Sequence, residues 1–146
     1  MKKYELARVE GLDASLDAVR VAGEVDIDCA QALREELERI VREGGLHVLV
    51  DIEQVRHLDS FSLGAFVGVR QFARGRGGSL SFICSNPLLR RLFSMTNLDK
   101  LFAFHDSVED FQAAHLAERR ADAAGGPDRA LENAARARLE RTPKVS

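Results

Sequence analysis

Apolar positions change their spacing repeatedly along this chain, and each change marks an element. From Tyr4 to Glu10 and again from Leu16 to Gly23 the residues read as short strands, with Gly11-Leu12-Asp13 near the turn, so a hairpin is the simplest pairing. Asp28-Cys29-Ala30-Gln31 resembles a capping box at a helix start, and Leu33, Leu37, Ile40 and Val41 recur at helical spacing until Gly44-Gly45 stops them. Leu46-His47-Val48-Leu49-Val50-Asp51-Ile52 is almost continuously apolar, the pattern of a strand covered on both faces. Leu63, Phe66, Val67, Val69, Phe72 and Ala73 then stripe a second helix over 61–74, ended by Gly75-Arg76-Gly77-Gly78.

Ser79-Leu80-Ser81-Phe82-Ile83-Cys84 returns to strand alternation, and Asn86-Pro87 opens a short helix through Phe93, since proline suits the first helical position. Leu101-Phe102-Ala103-Phe104 is a last short strand, and Asp106-Ser107 can cap a helix carrying Val108, Phe111 and Leu116. The order ββαβαβαβα predicts an α/β domain with a mixed sheet and right-handed crossover helices. From Ala117 onward there are eight alanines, no aromatic residue and a Gly125-Gly126-Pro127 break. Such a segment cannot bury enough surface to fold alone. The expected organisation is therefore a domain over 1–116 and a low-complexity, disordered tail over 117–146. Asp128 to Arg141 can form a helix on a partner, with only Leu131 and Leu139 as anchors.

Composition narrows the function classes. With 45% hydrophobic and 30% charged residues among 146, the chain reads as one globular domain plus a tail. No apolar run approaches the roughly 18 residues of a membrane span, and the amino end turns acidic at Glu5 before any signal-type stretch, so a cytoplasmic protein without a membrane partner is expected. Cys29 and Cys84 have no metal or redox spacing and read as packing thiols, with Cys29 near a helix start mildly acidified. Residues 117–146 carry seven basic and five acidic side chains, leaving 1–116 at a net charge of −4. No Lys/Arg cluster appears, which argues against nucleic acid as a direct partner.

Chemistry concentrates at Val55-Arg56-His57-Leu58-Asp59-Ser60-Phe61-Ser62-Leu63-Gly64. His57, Asp59, Ser60 and Ser62 invite a serine-hydrolase reading, but neither serine is flanked by glycine two positions before and two after, and His57 reads as a loop residue. The glycines at 75–78 match no nucleotide cradle. Glu24, Asp26, Asp28, Asp51, Glu53 and Asp59 read as caps and solvated turns rather than a metal or phosphoryl-acceptor set, because Lys100 precedes the last strand instead of ending one. Two roles stay open for Ser60. It is a helix N-cap, a common use of serine, or a hydroxyl that accepts a phosphoryl group, whose charge of about −1.5 to −2 suits helix-start amides.

Val21-Ala22-Gly23-Glu24-Val25-Asp26, the strand 46–52, Leu58-Asp59-Ser60-Phe61-Ser62-Leu63-Gly64 and Asn86-Pro87 together resemble the STAS domain, in particular bacterial anti-sigma factor antagonists, over about residues 4–116. The resemblance implies a non-enzymatic protein without cofactor or metal, a monomer or weak homodimer. It implies that the unmodified protein binds an anti-sigma factor that is also a serine kinase, releasing the sigma factor. The kinase phosphorylates the serine after Asp with ATP, and a serine phosphatase resets it. Carried over by position, Ser60 matches the phosphoacceptor, Asp59 its preceding acid, and Asp26 the acid of the first motif. Glu24, Asp28, Phe61, Ser62 and Gly64 complete the implied partner surface. Phe61 stands where the family has a second hydroxyl residue, as either an exposed anchor or a core residue, and Ser62 stands where it has glycine. The rival reading is a STAS scaffold or accessory subunit in a stress-signalling or lipid-transport complex, with Ser60 only a cap.

Overall fold

The structure, a computed structural model, describes residues 3–124. Its elements are β1 (Tyr4–Val9), β2 (Leu16–Val25), α1 (Ile27–Arg42), β3 (His47–Leu58), α2 (Ser60–Gly75), β4 (Ser79–Ile83), α3 (Pro87–Met95), a 3-10 turn at Leu98–Lys100, β5 (Ala103–Phe104) and α4 (Val108–Ala124). The order is the expected ββαβαβαβα with that turn added. The five strands form one sheet in the order β1-β2-β3-β4-β5, with β1 antiparallel to β2 and the remaining pairs parallel. A compact unit extends through Phe111, and a second begins at Gln112. Helix α4 runs past position 116. Positions beyond 124, including the suggested helix over 128–141, lie outside the described residues.

Alternation along the strands divides the core between two faces of the sheet. Val19, Val21, Val48, Val50, Ile52, Leu80 and Phe82 share one cluster with Leu33 and Leu37 of α1, Leu63 and Phe66 of α2, and Leu89 and Phe93 of α3. Leu16, Ala18, Leu49 and Ile83 form the other with Phe111, against which Val108 packs. This explains the apolar run at 46–52, since β3 has β2 and β4 beside it and apolar cover on both faces. Phe82 anchors the larger cluster, meeting Phe66 and Phe102 edge to face at centroid separations of 4.9 and 5.0 Å.

Four sequence expectations are corrected here. Strand β3 does not end near Ile52 but runs to Leu58, pairing only with β2 over its last residues. That single-sided stretch buries only every third residue, Ile52, Val55 and Leu58, across two register shifts against β2, so it lacks the apolar run that marks the strand's first half. His57 is accordingly a strand residue opposite Glu24, not a loop residue. The capping box of α1 sits two positions earlier than expected: Asp26 is the cap and Cys29 the third helical residue. The last strand keeps only Ala103–Phe104, because Leu98–Lys100 takes up the preceding chain as a 3-10 turn. Among the described residues no helix is long and apolar enough to cross a membrane.

Candidate functional site

Val25 lies opposite Leu58 in the parallel β2–β3 pair, and the residue after each is an aspartate that caps the following helix. Asp26 caps α1 and Asp59 caps α2, so two helix N-termini begin side by side at the carboxyl edge of the sheet. Helix starts carry unpaired N–H groups and a positive dipole end. Asp59 serves both starts. Its Oδ1 accepts the Ser62 N–H at 3.0 Å, and its Oδ2 accepts the Ile27 N–H of the neighbouring helix at 3.1 Å. The Ser62 hydroxyl completes the joint, lying 2.6 Å from Val25 O and 2.9 Å from Asp59 Oδ1 with one proton between two acceptors.

Asp26 is held differently. Its Oδ1 accepts the Asp28 N–H at 3.0 Å, its own N–H donates to Cys29 Sγ at 3.3 Å, and Lys3 Nζ reaches both Asp26 Oδ2 at 2.8 Å and Asp28 Oδ2 at 3.0 Å. Gly23 makes this approach possible: its φ is +101°, and a Cβ there would collide with Lys3 O. The close passage lets Glu24 N–H donate to Lys3 O at 2.8 Å. The Lys3 hydrogen bond holds the Asp26 carboxyl below the ordinary aspartate range, and the same bonds, first from Asp26 and then Asp28, push Lys3 upward. The Cys29 thiol is also raised, chiefly by burial, so the acidification expected from its helix-start position gives way to desolvation.

Ser60 is exposed at the first helical position, and the cap role left open for it belongs to Asp59. Phe61 is 59% exposed, which settles its alternatives in favour of the surface. Ser62 is fully buried and its hydroxyl is committed inward, so its side chain is a brace rather than part of a partner-facing surface. Glu24, Asp28 and Gly64 are exposed, while Asp26 and Asp59 are half-buried. Sequence reasoning passed over Ile27 and Lys3. Ile27 precedes the helix start assigned from Asp28, and Lys3 is 23 positions from its partner Asp26, with Gly23 as the only local signal of a close approach. Among the described residues no group of three or more His, Cys, Asp or Glu side chains is arranged to hold a metal ion.

A five-stranded mixed sheet and an acid-rimmed edge built from two adjacent β–α junctions define an α/β domain with one distinctive polar surface. The chain belongs to the STAS domain family, whose profile matches residues 12–111. It is 36% identical over 80 residues to an anti-sigma-B factor antagonist of Bacillus subtilis (strain 168), covering 55% of this chain and 72% of that protein. Two solved structures share the fold: the anti-sigma factor antagonist SpoIIAA in its unphosphorylated form, with TM-score 0.63, 17% identity and coverage of 77% and 96%, and the Bacillus cell fate determinant SpoIIAA in the phosphorylated form, with TM-score 0.58, 16% identity and coverage of 76% and 98%.

Proposed function

We propose that this chain is an anti-sigma factor antagonist that binds an anti-sigma factor serine kinase, frees the sigma factor, and is switched off by phosphorylation of Ser60. The carrying observation is the division of labour at the start of α2. Asp59 caps the helix and Ser62 braces it from inside, so the exposed Ser60 hydroxyl is not needed for either task. A phosphoryl group there meets the first-turn amides and the dipole of α2, which accommodate it locally, while Asp59 beside it adds like charge. The fold need not move. A kinase docked on this edge must strip water from a new negative pair, and that desolvation accounts for release. The likeness to antagonists named for sigma-B, and the existence of a fold relative in phosphorylated and unphosphorylated forms, support the same reading. A serine phosphatase restores binding.

Incubation of the purified chain with the cognate anti-sigma factor kinase and ATP tests the site by intact mass. One added phosphoryl group is expected, and none in Ser60→Ala. A mass gain that survives Ser60→Ala sinks the assignment. In pull-downs Ser60→Asp is expected to retain at least about 30-fold less kinase than wild type, an effect of about 2 kcal/mol. Unaltered retention would instead favour a scaffold or accessory role without switching.

A further inference from the structure

Ile27 and Phe61 stand 56% and 59% exposed, and they occupy the first turns of the two adjoining helices. Single exposed apolar residues need no explanation. These two are different because the joint beneath them is rigidly built: the Ile27 N–H is bonded to Asp59, two residues before Phe61, and Val25 and Leu58 pair directly below. Ile27 holds the same first position in α1 that Ser60 holds in α2. Glu24, Asp26, Asp28 and Asp59 all lie within three positions of Ile27 or Phe61 along the chain, and Lys3 neutralises part of this charge through its bonds to Asp26 and Asp28.

We infer that Ile27 and Phe61 form the apolar anchor of the docking edge, that it seats in an apolar pocket rimmed by Lys or Arg on the kinase, and that phosphorylation acts by charging this anchor. The inference deepens the proposed function and rests on it. Aromatic and large aliphatic side chains at the centre of an interface carry most of its energy when their surroundings exclude water. An acidic rim matches a basic one and steers encounter. A second copy of this chain is the wrong occupant, because the same four carboxylates would then face each other. With a phosphoryl group on Ser60, burying Ile27 and Phe61 requires stripping water from a nearby dianion, and the anchor stays in solvent.

Calorimetric titration of the purified cognate kinase with wild type, Ile27→Ala, Phe61→Ala and the double variant tests the anchor. Phe61→Ala is expected to weaken binding about 10- to 100-fold and Ile27→Ala about 3- to 10-fold. Urea midpoints should change little, since both residues are more than half exposed. Wild-type binding with equal affinity for the double variant overturns the anchor and leaves the proposed function standing. Absence of wild-type binding removes the function and the anchor together. Ser60→Asp should cost less affinity in the double variant than in wild type, and an equal loss in both overturns the charging mechanism. Affinity should fall as salt rises, and salt-independent binding overturns the basic rim. Concentration-dependent dimerisation of wild type that Phe61→Ala abolishes would identify a second copy as the occupant and overturn the assignment.

Discussion

The two β–α junctions at the carboxyl edge share one plan and differ in what holds them. After β2, the Asp26 carboxylate accepts the backbone N–H of Asp28 and is otherwise tied to an exposed lysine and closed by a thiol, both weak supports. After β3, Asp59 is tied to two backbone N–H groups and a fully buried hydroxyl. Solvent and salt screen the first arrangement far more than the second. The junction that carries Ser60 is therefore braced from the interior, and its exposed hydroxyl sits on a turn that other residues hold in shape. In the proposed function, that separation is what allows Ser60 to change its charge while the local backbone keeps its geometry.

Removing each cap in turn is the strongest way to break the comparison. Asp59→Ala strips α2 of its cap, frees the Ile27 N–H and leaves the Ser62 hydroxyl with Val25 O alone. A stability loss of about 2–3 kcal/mol by urea denaturation is expected. Asp26→Ala should cost clearly less, because it frees the backbone N–H of Asp28 where Asp59→Ala frees those of Ile27 and Ser62, and its other partner Lys3 is exposed. The reverse ranking would contradict the account of the two junctions. Ser62→Ala comes next, at about 1–2 kcal/mol, since it removes no exposed group yet leaves the Val25 carbonyl without this partner. Ser62→Gly should cost as much or more, because glycine also loosens the first turn of α2.

Elements with strong periodicity were legible in the sequence. The stripe Leu33, Leu37, Ile40 and Val41, the doubly covered run from Val48 to Ile52, and the Asn86-Pro87 entry each state one dominant physical demand, and the structure contains the matching elements. The end of β3 was not legible, because the stretch paired on one side buries only every third residue across register shifts and its charged residues imitate a loop. At the site, residue types located the Asp59–Ser60 step, but the share of work between neighbours was hidden. Whether a serine at a helix start caps, braces or stands free depends on where the helix begins within one residue. Ser62 illustrates this: its hydroxyl is spoken for by Val25, 37 positions away in sequence, a contact that only the β2–β3 pairing creates. Lys3 is the same case, brought to Asp26 by the hairpin and the space above Gly23.

The smallest expected effect sharpens the comparison through pH. Lys3→Ala removes the cation that links Asp26 and Asp28, and the exposure of the pair limits its worth. The hydrogen bond from Lys3 depresses the folded-state pKa of Asp26, so its contribution is present above the ordinary aspartate value and disappears as pH falls through the lower folded one. Bonds to Asp26 and Asp28 raise Lys3, so its contribution is present below the ordinary lysine value and disappears as pH rises through the higher folded one. The stability difference between wild type and Lys3→Ala should therefore be level from about pH 5 to about pH 10 and shrink on both sides. Urea midpoints across that range measure it, and raising the salt concentration should reduce the plateau. Asp59→Ala should show little salt dependence by comparison, since backbone N–H groups supply its partners. A Lys3→Ala difference that grows below pH 4, or one that salt leaves untouched, would place Asp26 in the same interior-braced category as Asp59 and dissolve the distinction between the two junctions.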